Sequence, residues 1–121
     1  MLTVLTGGVI AFFLLMGLLA LAAPERIALI HGVRELRPEG RNEIRAVYGG
    51  FGVVIAGVLS WAASIPVYRP GVFLAVAVAL GGMASGRLVA AVIERPRRFY
   101  PSWFYFALET AMAAVLYAVR Q

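Results

Sequence analysis

The chain has no cysteine, no lysine and only one histidine among its 121 residues. The absence of cysteine excludes disulfide bonds and thiolate metal sites. A metal site built on the single histidine, His31, is not expected either. We expect His31 to be interfacial or solvated, with a proton-handling role near neutral pH as the alternative. The sequence therefore predicts neither a metal nor another cofactor.

Charge is also scarce. Charged residues make up 14% of the chain, against about 25% in an average soluble protein, and 62% of the residues are apolar. The charges form short clusters between long apolar runs, which is typical of a membrane protein. The net charge of +5 comes from eleven arginines. Because most of them lie at the ends of apolar runs, we expect them to set topology or to meet lipid phosphates, and we expect no nucleic-acid partner.

Four apolar runs predict four membrane spans, at about residues 2–23, 46–65, 72–93 and 101–119, each close to the ~20 residues that a bilayer core requires. The small residues at 20–24 resemble the cleavage site of a secretory signal. However, a basic leader is missing and the apolar run is too long, so we expect a retained span. The predicted fold is all-α, an integral membrane antiparallel four-helix bundle formed by one domain over residues 1–121.

Residues 24–45 form the largest polar segment. Apolar residues recur at every third position from 27 to 36 with charged residues between them, which predicts a short interfacial helix. A turn is expected at residues 38–40, and Asn42 is expected to cap the next helix.

Small residues line one face of the second and third predicted spans. Gly49, Gly50 and Gly57 follow helical spacing in the second span, and Gly82 and Gly86 give a GxxxG spacing in the third. In lipid, such faces allow two helix backbones to approach closely. We expect these two spans to pack together, with a homodimer contact as the alternative.

Arg87 and Glu109 are the only charged residues well inside predicted spans. Insertion of each charged side chain at a bilayer centre costs about 2.5–3.5 kcal/mol, so we expect each to have a charged partner or a functional role. They lie about 10 Å and about 12 Å from the turn that joins consecutive antiparallel helices, which predicts an ion pair completed by Ser85 and Tyr105. Three alternatives stay open: a purely structural pair, a pair that also binds a ligand headgroup or a proton, and an Arg87 that snorkels alone.

The turn at residues 94–101 is basic and aromatic. Its side chains are expected to contact lipid headgroups, including those of anionic phospholipids; they are Arg95, Arg97, Arg98 and Trp103. Eight arginines lie in this turn and in residues 24–45, whereas only Arg69 and Arg120 lie at the opposite ends of the spans. The positive-inside rule therefore predicts that both basic connections are cytoplasmic and both termini outside.

Three short motifs resemble a known family. They are Arg-Ala-Val-Tyr-Gly-Gly at residues 45–50, Gly-Arg-Leu at 86–88, and Glu109 early in the fourth span. With them the chain is similar, over nearly its whole length, to the bacterial four-helix membrane proteins grouped as domain of unknown function 4345. The resemblance implies the fold and the topology, adds Arg45 and Tyr48 as positions of interest, and brings no agreed activity; the expected location is the bacterial inner membrane. The Asp-Gly that often follows helix three there is replaced here by Glu94-Arg95-Pro96-Arg97, so no role for this turn is taken from the family.

Two classes of function follow. The first is a non-catalytic accessory or scaffold subunit of a membrane complex, with a protein partner or a second copy of the chain. The second is binding or transport of a lipid-like or anionic small molecule in a polar pocket around Arg87 and Glu109, lined by Arg45, Tyr48, Ser85 and Tyr105. An enzyme is less favoured, because the sequence has no metal cluster, no Ser-His arrangement and no phosphate loop.

Overall fold

The computed structural model describes all 121 residues, and the protein is 84% helical with no strand. Its helices are α1 (Leu2–Ala22), α2 (Pro24–Ile30), α3 (Pro38–Ser64), α4 (Arg69–Glu94) and α5 (Phe99–Val119). All except α2 are long and apolar enough to cross a membrane. This confirms the predicted all-α class with four apolar helices of spanning length.

The interfacial helix is shorter than the pattern of apolar residues predicts. Ala23 has non-helical dihedral angles that separate α1 from α2, and Pro24 occupies the first turn of α2, where its missing N–H costs nothing. At the other end Gly32 adopts a φ of 83°, and the N–H of Val33 donates to the carbonyl of Ala28 at 2.8 Å. This left-handed glycine ends α2, so residues 33–36 do not continue it.

The turn predicted at residues 38–40 is wrong, because these residues form the first turn of α3. Pro38 favours the first helical position, and the residue before a proline is driven towards extended backbone, as Arg37 shows with a ψ of 162°. Arg37 therefore takes the N-cap position that the sequence analysis assigns to Asn42.

Two helices contain a π-helical turn, in which one extra residue widens the coil. One turn spans Arg45–Gly50 within α3, and the other spans Phe99–Trp103 at the start of α5. The second contains Tyr100 with non-helical dihedral angles, and regular α-helix begins at Phe104. The first coincides with the Arg-Ala-Val-Tyr-Gly-Gly motif.

The chain divides into two compact units, Thr3–Trp61 and Ala62–Gln121. In the first unit the backbones of α1 and α3 approach closely at glycines. A Cβ atom at Gly17 would lie 2.8 Å from the backbone N of Val53 and 2.9 Å from the carbonyl O of Gly49. A Cβ atom at Gly52 would lie 3.1 Å from the carbonyl O of Phe13. A side chain at Gly17 would force the backbone to shift, and one at Gly52 would meet a tight contact, so these glycines allow the close approach of α1 and α3.

One glycine named for the predicted contact between the second and third spans has its neighbour in α1; the packing of those two spans against each other stays a prediction. Gly49 does lie in a tight contact, but its neighbour is Leu21 of α1, 2.8 Å from where its Cβ would be. A Cβ at Gly50 would meet only the carbonyl of Arg45, at 3.8 Å. At Gly57, Gly82 and Gly86 a Cβ would meet no heavy atom within 4 Å. Helical spacing identified smooth faces, but it did not identify which neighbour each face has.

The second unit contains α4 and α5, which follow each other through the short connection at residues 95–98 and pack along their lengths. Apolar side chains on both helices are buried, including Phe73 and Leu80 on α4 and Met112 and Leu116 on α5. This packing fixes the register of the two helices and places the charged residues within them.

Candidate functional site

Arg87 of α4 and Glu109 of α5 form an ion pair with two hydrogen bonds. Nε of Arg87 donates to Oε2 of Glu109 at 2.8 Å, and Nη2 donates to Oε1 at 2.7 Å. The Glu109 side chain is 4% exposed and that of Arg87 is 24% exposed. The planar guanidinium matches the carboxylate in two parallel bonds, which is the strongest geometry available to such a pair. The structure thus brings together the two residues that the sequence analysis expects to meet.

Tyr105 supports the guanidinium from the same helix as Glu109. It lies four residues before Glu109, so the two side chains share a helix face. The Cζ atom of Arg87 lies 5.3 Å from the centroid of the Tyr105 ring, within the range of a cation–π contact. Tyr105 is buried, as its role as a flat support requires.

Tyr100 extends this cluster to the surface, and the sequence analysis did not find it. The rings of Tyr105 and Tyr100 are in contact, with centroids 6.1 Å apart. Tyr100 is half exposed in the π-helical turn that opens α5. In the sequence, Tyr100 is only recognisable as an aromatic residue before a proline. This pattern indicates a turn, but it does not predict the contact with Tyr105.

Ser85 does not complete the ion pair. Its hydroxyl donates to the carbonyl of Gly81, one turn earlier in α4, at 2.8 Å, and the residue is exposed. A serine within an apolar helix commonly satisfies its hydroxyl in this way. Ser85 is therefore not a hydrogen-bonding partner of the pair, whereas Tyr105 is its aromatic neighbour.

A second polar cluster lies in the first unit, around the π-helical turn of α3. Nε of Arg45 donates to the carbonyl of Leu21 at 3.1 Å. That carbonyl lies in the last turn of α1, where carbonyl groups lack partners within the helix and a positive charge is favourable. Arg45 thus joins the start of the apolar part of α3 to the end of α1.

His31 and Tyr48 lie side by side in the same unit, with ring centroids 5.6 Å apart. Nδ1 of His31 lies 2.8 Å from the carbonyl of Ile27, so this nitrogen carries the proton and donates it. The sequence analysis named Tyr48 through the family resemblance but did not place it beside His31, because the contact depends on where α2 ends.

The residues of the predicted pocket are distributed over both units. Arg45 and Tyr48 belong to Thr3–Trp61, whereas Ser85 and Tyr105 belong to Ala62–Gln121 with the ion pair. A pocket shared by all of them stays a prediction. No group of three or more histidine, cysteine, aspartate or glutamate residues is arranged to hold a metal ion.

The basic turn between α4 and α5 has three arginines whose side chains form no ion pair and no hydrogen bond within the chain; they are Arg95, Arg97 and Arg98. Arg95 ends α4 in the left-handed conformation, with a φ of 49°. Trp103 closes the turn, because its indole N–H donates to the carbonyl of Pro96 across 3.4 Å. Trp103 therefore links the start of α5 to the turn by a hydrogen bond.

Comparison with known proteins gives one family. A family model described as "Domain of unknown function (DUF4345)" matches residues 1–120. No curated protein and no solved structure matches the chain significantly. The match covers the ion pair, the Arg45 cluster and the basic turn together.

Proposed function

The chain belongs to the DUF4345 family, since the family model covers residues 1–120, and from this premise we propose that it is a multi-pass membrane protein with a non-catalytic accessory or scaffold role. The main support for the proposal is that both carboxylate oxygens of Glu109 accept hydrogen bonds from Arg87.

Exposed apolar side chains support insertion of the four long helices into a bilayer. Large apolar residues remain exposed along each of them, for example Leu15, Val54, Val92 and Phe104. Exposed apolar area on this scale is unfavourable in water and favourable against lipid chains. We therefore place the lipid around these helices.

The state of Glu109 supports a non-catalytic role. It is the only carboxylate within a predicted span, and both its oxygens accept hydrogen bonds from Arg87. To act as an acid, a base or a ligand, Glu109 would first have to leave its partner and strand two charges in an apolar environment. As a brace between α4 and α5 it needs no such change.

Arginine positions support the orientation. The two connections that carry eight arginines lie in the cytoplasm, and both termini lie outside. With the bacterial origin that the family resemblance implies, the membrane is the inner membrane. A protein partner or a second copy of the chain contacts the exposed apolar surface.

A double-mutant cycle tests the role of the pair. Arg87→Met or Glu109→Gln alone removes one partner and should lower the free energy of unfolding by about 3–5 kcal/mol, because the other charge is left buried. The double variant should recover most of this loss. Thermal unfolding in mild detergent measures each variant. Arg98→Met serves as the control, since it removes an unpaired arginine of the same hairpin and should have little effect.

The same variants separate the two classes of function. In a scaffold, the stable double variant keeps its copurifying partners and lipids, as measured by mass spectrometry of the purified complex. If the double variant is stable but loses a bound lipid or anion, the pair is a binding site and the non-catalytic scaffold is the wrong class. Additive effects of the two single substitutions would show that the pair is not a brace. A wild-type chain that stays monomeric after crosslinking in native membranes would contradict the scaffold role.

A further inference from the structure

We propose that the turn between α4 and α5 is a binding site for the phosphate headgroup of an anionic phospholipid. The site consists of the guanidinium groups of Arg95, Arg97 and Arg98, held in place by Trp103. The inference rests on the proposed insertion of α4 and α5 into a bilayer and goes beyond it by naming a ligand class and its residues.

Charge is the first argument. Residues 94–98 carry three arginines and one glutamate, and no arginine among them has an ion-pair partner. The other basic connection differs: residues 24–45 have five arginines but four glutamates, and Arg41 lies 3.7 Å from Glu25. The turn at 95–98 is therefore the most concentrated excess of positive charge in the chain, and guanidinium groups match the geometry of a phosphate, which is the anionic group at a phospholipid surface.

Position is the second argument. The turn follows directly on the apolar helix α4 and precedes α5, so in an inserted protein it lies at headgroup level. Phe99 and Tyr100 are 63% and 50% exposed beside the arginines. Exposed aromatic rings next to arginines are typical of the interface between a bilayer and water. The rings contact the upper parts of the lipid chains while the guanidinium groups face the phosphates.

Order is the third argument. Trp103 donates from its indole N–H to the carbonyl of Pro96, and Trp103 packs edge-on against Phe106, with ring centroids 5.9 Å apart. The N–H of Arg95 donates to the carbonyl of Ala91 at 2.9 Å, which fixes the end of α4. A turn held at both ends loses less conformational freedom when a lipid binds than a flexible segment would. Trp103 is thus a positioning residue and not itself a headgroup ligand.

Quenching of Trp103 fluorescence tests the proposal. The chain has two tryptophans, so Trp61→Phe leaves Trp103 as the only reporter at the turn. The full chain is reconstituted in vesicles of phosphatidylcholine mixed with phosphatidylglycerol, and either one or the other lipid is brominated. We expect stronger quenching by brominated phosphatidylglycerol, with an apparent preference of about fivefold for each arginine that contacts it. In the converse variant, Trp103→Phe, the remaining Trp61 should show little preference.

Matched variants assign the preference to the turn. Arg95→Gln, Arg97→Gln and Arg98→Gln combined should abolish it, whereas Lys at positions 97 and 98 should retain most of it. Arg26→Gln, Arg34→Gln and Arg37→Gln remove the same charge from three arginines that also lack ion pairs, and should leave the preference unchanged.

Three outcomes of the quenching comparison overturn the proposal. They are equal quenching by both lipids, a preference that survives in the variant without the turn arginines, and a preference lost equally in both triple variants. Loss of the preference on adding inorganic phosphate would assign the site to free phosphate and overturn the lipid assignment. Vesicle flotation is measured first. A chain that does not float with the vesicles contradicts the membrane proposal, whereas a chain that floats without a lipid preference contradicts only this site.

Discussion

At the scale of single residues, Gly17 is the position where the structure leaves least room. Its absent Cβ would lie within 3.0 Å of backbone atoms of α3, which cannot move aside as a flexible side chain can. We expect Gly17→Ala to lower the free energy of unfolding by about 1–3 kcal/mol, the usual cost of overpacking a tight contact. Thermal unfolding in detergent measures the change.

Alanine at Gly57 and at Gly86 provides the controls for this prediction. Neither Cβ would meet an atom within 4 Å, and alanine is favoured over glycine inside a helix by about 1 kcal/mol. The melting temperature should stay the same or rise slightly. A stable Gly17→Ala variant would contradict the tight contact between α1 and α3 at this position. A strongly destabilised Gly86→Ala variant would show that the GxxxG spacing of the third span also lies in a close contact.

The ion pair could be predicted from the sequence for a reason that the glycine contacts lack. Arg87 and Glu109 lie on consecutive helices joined by a short turn, so the distance along each helix from the turn sets their relative depth. The neighbour of Gly49 depends instead on how α1 and α3 are arranged, which no local spacing encodes. Tyr100 was missed for a related reason: its contact with Tyr105 requires the irregular start of α5.

At the scale of secondary structure elements, hydropathy identified every long helix but not its ends. Each apolar run predicted a span because about 20 apolar residues satisfy a bilayer core. The ends depend on individual residues that hydropathy does not describe, namely Gly32, which ends α2, and Pro38, which begins α3. The two π-helical turns were likewise not predicted, because a widened coil has no pattern of apolar residues of its own.

The π-helical turn of α3 gives a prediction at this scale. The side chain of Arg45 extends from that turn and donates a hydrogen bond to the carbonyl of Leu21, which links α3 to the end of α1. We expect Arg45→Met to cost about 1 kcal/mol, the usual contribution of one hydrogen bond, and to increase amide hydrogen exchange in the last turn of α1. The control is Arg34→Met, because Arg34 is exposed and forms no ion pair or hydrogen bond. Equal exchange in both variants would show that Arg45 does not hold α1.

At the scale of the whole molecule, the distribution of arginine relates the fold to its surroundings. The five arginines of residues 24–45 and the three of the 95–98 turn lie in connections that the proposed topology of four successive spans puts on the same side. Apart from Arg41 and Arg45, these arginines are exposed and their side chains form no ion pair or hydrogen bond within the chain. In the topology that we propose, they face the membrane surface and its potential.

Reporter fusions test the orientation that this distribution predicts. Alkaline phosphatase is active only outside the cytoplasm, so a fusion after Gln121 should be active and a fusion within residues 95–98 should be inactive. A green fluorescent protein reporter at the same two positions should give the opposite pattern. An inactive phosphatase at Gln121 together with an active one in the turn would reverse the orientation.

The orientation should also survive the removal of the three arginines of the turn. The variant used for the lipid test still has five arginines in residues 24–45, against Arg69 and Arg120 at the opposite ends of the spans, so the positive-inside rule still favours the proposed orientation. The fusion after Gln121 should therefore remain active in that variant. If its activity is lost, the arginines of the turn determine the topology, and a change in lipid contact at Trp103 would then reflect an inverted protein instead of a missing headgroup site.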